Sequence, residues 1–282
     1  MKKDVTIIGA GLVGSLLSIY LAKRGYKVRV YERRPDMRTA TISAGKSINL
    51  ALSDRGIKAL EEVGIMDAIR PITIPMHGRY VHNKDGSTAF QPYGKEGQFI
   101  NSVSRGTLNA KLMDLAEEHD VHFYFNEKCM GIDWEENRIS FENMLSPQTQ
   151  QLRSSLIFGS DGAFSAARLA YQLQHDRFQY QQYYIDFGYK ELNIPANSNG
   201  EFLMEKNALH IWPRGNYMLI ALPNIDGSFT CTLFFPFDGE PSLQSEMQIF
   251  RLTGPLFFGS SERILTQLSR EAKTKTLVLD LT

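Results

Sequence analysis

Residues 5–32 read VTIIGAGLVGSLLSIYLAKRGYKVRVYE, in which a glycine-rich segment lies between apolar runs. Val5–Ile8 is a short apolar, β-branched run of the kind that forms a buried parallel strand. Apolar residues at helical spacing then predict a helix over Ser15–Arg24, and Lys27–Tyr31 predicts a second strand. The order of strand, glycine-rich loop, helix and strand predicts the βαβ unit of a dinucleotide-binding fold.

The loop of this unit carries the pattern GxGxxG at Gly9, Gly11 and Gly14. In such a loop the first glycine allows a tight turn, the second lets the backbone approach a pyrophosphate, and the third lets helix and strand pack closely. The helix N-terminus adds free N–H groups and a partial positive charge. Glu32, at the end of the second strand, can accept hydrogen bonds from ribose hydroxyls and disfavours a 2′-phosphate, so FAD or NAD is expected rather than NADP at this site.

The bulk composition excludes several classes of protein. The chain has 282 residues, 43% of them hydrophobic, and equal numbers (31 each) of basic and acidic residues, so no overall charge favours nucleic acid. No apolar run is long enough to span a membrane, and the N-terminal run is interpreted as a strand rather than a signal peptide. Cys129 and Cys231 are expected to be reduced thiols of a cytoplasmic protein, and neither they nor the six histidines show the spacing of a metal site.

Three further segments separate FAD from NAD: Ser47–Ser53 (SINLALS), Ser102–Arg105 and Gly159–Arg168. With the N-terminal unit, their order resembles the class A flavoprotein monooxygenases, which have the fold of para-hydroxybenzoate hydroxylase. Within that class the chain is most similar to the kynurenine 3-monooxygenase family, from residue 1 to about residue 245. The resembling segments are Ser47–Ser53, Pro92–Gly94, Ser102–Arg105 and the stretch around Phe234–Phe237. The resemblance implies an FAD-dependent hydroxylase that uses NAD(P)H and O₂ to convert L-kynurenine to 3-hydroxykynurenine through a flavin C4a-hydroperoxide.

The resemblance also implies roles for particular residues. Arg38 and Arg105 resemble the flavin-contacting arginines of the family, with surface salt bridges as the alternative for each. Asp161 belongs to the Asp-Gly motif, which serves FAD and the nicotinamide nucleotide. Arg79 and Tyr93 stand at the spacing of the family's substrate-carboxylate pair, for which a guanidinium and a phenol are suitable donors. An arginine on a solvated strand and a tyrosine in the core remain the alternative.

The fold class expected is α/β: a Rossmann-like FAD-binding domain with an antiparallel substrate-side sheet. Residues 1–70 and 99–180 are assigned to the first domain, and residues 71–98 and 181–245 to the second. In the second, three β-prone runs between residues 208 and 235 are separated by turns at Gly215-Asn216 and Asp226-Gly227.

The chain departs from the family after about Ser245. The second flavin motif of the family begins with Gly-Asp, and that dipeptide does not occur in this sequence. Residues 246–282 instead predict a βαβ tail that resembles part of a STAS domain. Two alternatives to an active hydroxylase therefore stay open, namely a non-catalytic dinucleotide-binding protein and a STAS-like interaction protein.

Overall fold

A computed structural model describes residues 4–39, 48–95 and 97–238. The βαβ tail predicted for residues 246–282 lies outside these residues. The helices are α1 (Leu12–Lys23), α2 (Asp54–Glu62), α3 (Met66–Ile69), α4 (Arg105–Glu117) and α5 (Ala166–Gln174), with a 3₁₀ turn at Arg70–Ile72. The strands are β1 (Asp4–Ile8), β2 (Lys27–Glu32), β3 (Asn49–Leu52), β4 (Ile74–Met76), β5 (Gly78–His82), β6 (Thr88–Pro92), β7 (Ile100–Ser104), β8 (His122–Phe125), β9 (Glu127–Asp133), β10 (Arg138–Asn143), β11 (Thr149–Arg153), β12 (Leu156–Gly159), β13 (Phe187–Ile194), β14 (Ala208–Pro213), β15 (Met218–Pro223) and β16 (Phe229–Pro236).

A parallel sheet in the order β12-β1-β2-β8 carries the predicted βαβ unit. Its central strand β1 is almost wholly buried, as the apolar run predicts. Helix α1 begins at Leu12, three residues before the predicted start, because Gly11 takes the extended N-cap conformation (φ −74°, ψ −179°). The first helical turn therefore starts inside the glycine pattern itself.

A six-stranded sheet in the order β13-β16-β15-β14-β5-β6 forms the second large unit. Among its described strands, only the β14–β5 pairing is parallel. The predicted turns are present, with positive φ at Gly215 (80°) and Gly227 (85°). One face of this sheet forms a core that includes Trp212, Phe229 and Phe235, each no more than 1% exposed.

Two three-stranded sheets, β3-β7-β4 and β11-β10-β9, complete the described residues. Helix α2 follows β3, and the sequence predicts Ser53 as its side-chain cap, an end near Leu60 and closure by Gly64. Ser53 does occupy the N-cap position, but its hydroxyl makes no capping hydrogen bond with a described residue, and the helix extends to Glu62 rather than ending near Leu60. Gly64, in the left-handed conformation (φ 66°), closes it as predicted.

Both cysteines are free thiols, as the sequence predicts, and both are buried. Burial raises the pKa of the Cys129 thiol to about 11, so the thiol stays protonated and unreactive at neutral pH. Among the residues that the structure describes, no helix combines the length and apolar character that a membrane crossing requires.

A histidine pair, with His210 buried and His82 half-buried, links β5 to β14. His82 Nε2 lies 2.9 Å from His210 Nδ1, and His210 Nε2 lies 2.8 Å from the carbonyl oxygen of Glu205. Because a carbonyl can only accept, His210 carries its proton on Nε2 and accepts at Nδ1 from His82. Burial, and then the charges of His210 and Arg214, lower the pKa of His82 to about 4, and burial also lowers that of His210. The folded pair is therefore neutral over the physiological range.

We expect the free energy of unfolding to fall as the pH is lowered from about 6.5 towards 4. The unfolded chain takes up protons at these histidines in that window, whereas the folded pair does not. A difference of one pKa unit corresponds to about 1.4 kcal/mol. Urea unfolding of the wild type and of His82→Gln, whose amide can still donate to His210 but does not titrate, should show a smaller pH dependence for the variant. An equal dependence in the two proteins would contradict the assignment.

Candidate functional site

The glycine loop (Gly9–Gly14) joins β1 to α1, and its glycines have different surroundings. Gly9 has a positive φ (99°), and a Cβ atom there would lie 2.5 Å from the carbonyl oxygen of Ser160. A Cβ atom on Gly14 would lie 2.0 Å from the carbonyl oxygen of Gly9, whereas one on Gly11 would meet no atom of the described residues within 4 Å. Gly9 and Gly14 thus allow close packing inside the protein, and Gly11 faces open space from which a ligand can approach the backbone.

Glu32 lies beside this loop at the end of β2 and is 6% exposed. Its Oε2 accepts a hydrogen bond from the backbone N–H of Ala10 at 2.9 Å, and its Oε1 accepts from the backbone N–H and Nε of Arg34. Burial alone would raise the pKa of Glu32, but the hydrogen bonds and charge of Arg34 and the Ala10 N–H together hold it below its usual value. The carboxylate is therefore ionised and oriented at neutral pH.

The Asp-Gly segment after β12 contacts the glycine loop through a residue that the motif does not single out. Ser160 Oγ lies 2.9 Å from the carbonyl oxygen of Ile8 and 3.0 Å from that of Gly9. Asp161 accepts from Ser165 Oγ at 2.5 Å and from the backbone N–H of Ala166 at 2.7 Å, so it caps the start of α5. Asp161 therefore directly follows Ser160, the residue that contacts the glycine loop.

Asn109 on α4 is a second residue that motif reading does not identify. It is 6% exposed, and its Nδ2 donates to the carbonyl oxygen of Ala10 at 2.9 Å. The two residues are 99 positions apart in sequence, and nothing in the helical pattern of α4 indicates a polar contact of this kind.

The two arginines that resemble flavin contacts lie in different places. Arg38 is mostly buried against α4 and forms ion pairs with Asp36, Asp114 and Glu117. Arg105 is the first residue of α4, is half-buried, and donates its backbone N–H to the carbonyl oxygen of Ile48.

Arg79 and Tyr93 are brought together on the six-stranded sheet. Arg79 is in β5, Tyr93 follows β6, and the guanidinium carbon lies 5.3 Å from the centre of the phenol ring. Burial raises the pKa of Tyr93, and Arg79 opposes that rise, first by the hydrogen-bonding approach of its side chain to the hydroxyl and then by its charge. The buried Tyr93 hydroxyl forms no well-oriented hydrogen bond with any described residue. A cation beside an unsatisfied hydroxyl is a suitable arrangement for a carboxylate ligand.

The strand register shows what else shares the Arg79 face of the sheet. Arg79 is paired with Leu209 across β5 and β14, and Ile211 with Ile220 across β14 and β15. Since alternate residues lie on one face, these four side chains point to the same side, opposite the Trp212 core. A charged group at one end of a half-buried aliphatic surface is suited to a ligand that has both a carboxylate and an apolar part.

A cavity of about 800 Å³ lies further along the same face, between the six-stranded sheet and the β3-β7-β4 sheet. Asn49 and Ser102 line one side, and Asn193, Asn224 and Thr230 line the other. Asn49 Nδ2 bridges the two sides, donating to Ser102 Oγ at 3.2 Å and to Asn224 Oδ1 at 2.6 Å. Its buried Oδ1 has no partner among the described residues, which leaves an acceptor at the cavity wall.

In the part of the chain that the structure describes, no group of histidine, cysteine, aspartate or glutamate side chains could hold a metal ion.

Comparison with known proteins identifies the family. The profile of the FAD binding domain family matches residues 2–231. Among curated relatives, the chain is 52% identical over 244 residues to a kynurenine 3-monooxygenase of Christiangramia forsetii, covering 86% of this chain and 54% of that protein. A protein of the same name from Dictyostelium discoideum is 47% identical over 247 residues, covering 87% of this chain and 52% of that protein. The chain thus spans about half the length of the curated relatives it matches.

Solved structures confirm the fold class. The tetrameric form of 2-methyl-3-hydroxypyridine-5-carboxylic acid oxygenase superposes with a TM-score of 0.74 at 18% identity, covering 99% of this chain and 70% of that one. The tetracycline destructase Tet(51) gives a TM-score of 0.62 at 16% identity, covering 95% of this chain and 67% of that one. The predicted fold, the family resemblance and FAD as the family's cofactor are therefore confirmed.

Two glycine substitutions should separate ligand binding from folding. For Gly11→Ala we expect at least tenfold weaker FAD binding, because the methyl group enters the open space beside the loop, with no more than about 1 kcal/mol lost in stability. For Gly14→Ala we expect a loss of about 1–3 kcal/mol in unfolding free energy, because the methyl group would meet the Gly9 carbonyl. Chemical unfolding and flavin titration of both variants check this, and equal behaviour of the two would contradict the geometry.

Proposed function

The chain belongs to the FAD-binding domain family, and from this premise we propose that it binds FAD and serves the hydroxylation of L-kynurenine to 3-hydroxykynurenine with NAD(P)H and O₂. The observation that carries the proposal is the Arg79–Tyr93 pair, because it places a cation and an unsatisfied hydroxyl at the end of an aliphatic surface. The chain is 52% identical over 244 residues to a curated kynurenine 3-monooxygenase, and this similarity supports the same substrate.

The residues present fit FAD. The open space at Gly11 and the N-terminus of α1 suit a pyrophosphate, and the ionised Glu32 suits ribose hydroxyls. We assign Gly9 and Gly14 to the same site as the packing residues of the loop. Arg105 and Asp161 match family motifs, and on that ground we propose that they contact the cofactor. Arg38 also matches a family motif, and its alternative role is to form salt bridges within the protein. We also propose that residues 1–70 and 99–180 act as the FAD-binding domain and residues 71–98 and 181–245 as the substrate-side domain.

When bound, FAD would supply the redox chemistry that activates O₂. The task of the protein is then to bind and orient the aromatic substrate and to exclude water. Arg79 would pair with the α-carboxylate and Tyr93 would donate its hydroxyl proton to the same group. Leu209, Ile211 and Ile220 offer an apolar surface for the aromatic part of the substrate. No side chain need act as a general base.

A small-molecule aromatic amino acid is the proposed partner. The chain has equal numbers of basic and acidic residues, so its overall charge gives no reason to propose nucleic-acid binding. The two buried free thiols support a reducing compartment, for which the cytoplasm is our proposal.

Replacing Arg79 should separate substrate binding from cofactor binding. For Arg79→Met we expect FAD affinity to be unchanged and L-kynurenine affinity to fall about tenfold or more, because a charge-assisted pair with the carboxylate is lost. The measurement is the change in the visible flavin spectrum of the FAD-loaded chain on titration with L-kynurenine. Lys84→Met, in the exposed turn between β5 and β6, removes an equal charge as the matched control.

Two results would contradict the proposal. An FAD-loaded chain whose spectrum does not respond to L-kynurenine would reject this substrate and leave a non-catalytic FAD-binding protein. A loss of affinity in Lys84→Met as large as that in Arg79→Met would show that general charge, rather than the Arg79–Tyr93 pair, holds the carboxylate.

A further inference from the structure

The guanidinium of Arg38 is fully occupied by carboxylates. Its Nε–H donates to Asp36 at 2.9 Å, and its NH2 group donates to Asp36 at 2.7 Å and to Glu117 at 3.0 Å. Its NH1 group donates to Asp114 at 2.9 Å and to Glu117 at 2.6 Å. An arginine side chain has five N–H donors, so each one has a carboxylate acceptor. These four residues are called the Arg38 cluster below.

This arrangement does not suit a direct contact with a phosphate. Any hydrogen bond from Arg38 to an anion would first require one of the five bonds to break. The cluster also has one positive and three negative groups, so its charge would repel a pyrophosphate rather than attract it.

The cluster instead joins the segment after Glu32 to helix α4. Asp36 and Arg38 belong to that segment, whereas Asp114 and Glu117 lie on α4, 76 and 79 residues from Arg38. The same helix also contacts the glycine loop, because Asn109 Nδ2 donates to the carbonyl oxygen of Ala10. Asn109 Nδ2 lies 3.2 Å from the sulfur of Met37 as well, which belongs to the segment after Glu32. One face of α4 therefore contacts both backbone segments that surround Glu32.

We propose that Arg38, Asp114 and Glu117 are positioning residues for the cofactor site, which hold residues 33–39 on α4 and so orient Glu32 and the glycine loop without touching the cofactor. The inference rests on the proposed binding of FAD at this loop. It assigns a role to two acidic residues that no sequence motif marks, and it replaces direct contact by Arg38 with an indirect one.

The first test compares affinities for ADP, the half of FAD that this site would bind, in the full chain. We expect Glu117→Gln and Arg38→Ala each to weaken ADP and FAD binding about three- to tenfold, in the range of a partly buried ion network. The double variant should lose no more than Arg38→Ala alone, since both changes remove one interaction. Thermal unfolding of each variant ensures that the comparison is made between folded proteins.

A matched control is available on another part of the molecule. Asp133 pairs with Arg138 at 3.0 Å between β9 and β10, and Asp133→Asn removes a carboxylate of similar exposure. This variant should bind ADP as the wild type does. If Arg38 contacted the phosphates directly, Glu117→Gln would release its donors and leave binding unchanged or tighter. Either of those two results for Glu117→Gln overturns the proposal.

The second test needs no cofactor and separates this proposal from the proposed function. In hydrogen–deuterium exchange of the ligand-free chain, Glu117→Gln should speed exchange in residues 33–39 several-fold and leave β9 and β10 unchanged. Unchanged exchange in residues 33–39 overturns the positioning role. A wild-type chain that binds neither FAD nor ADP overturns the proposed function, and faster exchange would then still support the contact between this segment and α4.

Discussion

The close approach of α1 to the end of β1 is the constraint on which the rest of the site depends. Even a methyl group on Gly14 would lie 2.0 Å from the carbonyl oxygen of Gly9, so the helix N-terminus can reach the loop only because residue 14 is glycine. Ser160 holds the same loop from the other side through the carbonyl oxygens of Ile8 and Gly9. The backbone of the loop is thereby fixed, and Gly11 remains the open position.

Polar side chains from distant parts of the chain then form hydrogen bonds to the glycine loop of the βαβ unit. Glu32 receives the Ala10 N–H, and Asn109 donates to the Ala10 carbonyl, so both polar groups of one loop residue are satisfied by buried side chains. Burial would otherwise make each of those backbone groups costly. The site is therefore organised before any ligand is bound, which lowers the ordering cost of binding.

The sequence predicted the local parts of this structure well and the long-range parts poorly. Strands β1 and β2, the glycine loop and Glu32 follow from periodicity and spacing within 32 residues. The pairing of Arg79 with Tyr93 came from family resemblance, and the structure brings the two residues together. The Ser160 and Asn109 contacts span 151 and 99 residues, so no local pattern could reveal them. The start of α1 was missed because Gly11 serves both as loop and as N-cap.

A crystal structure of the full chain with FAD bound would test the central claim most directly. We expect the pyrophosphate to lie within hydrogen-bond distance of the backbone N–H groups after Gly11. We also expect Glu32 to accept from the adenosine ribose, and Arg38 to remain paired with Asp36, Asp114 and Glu117. A pyrophosphate bound away from the glycine loop, or an Arg38 side chain turned from its carboxylates onto the phosphates, would contradict it.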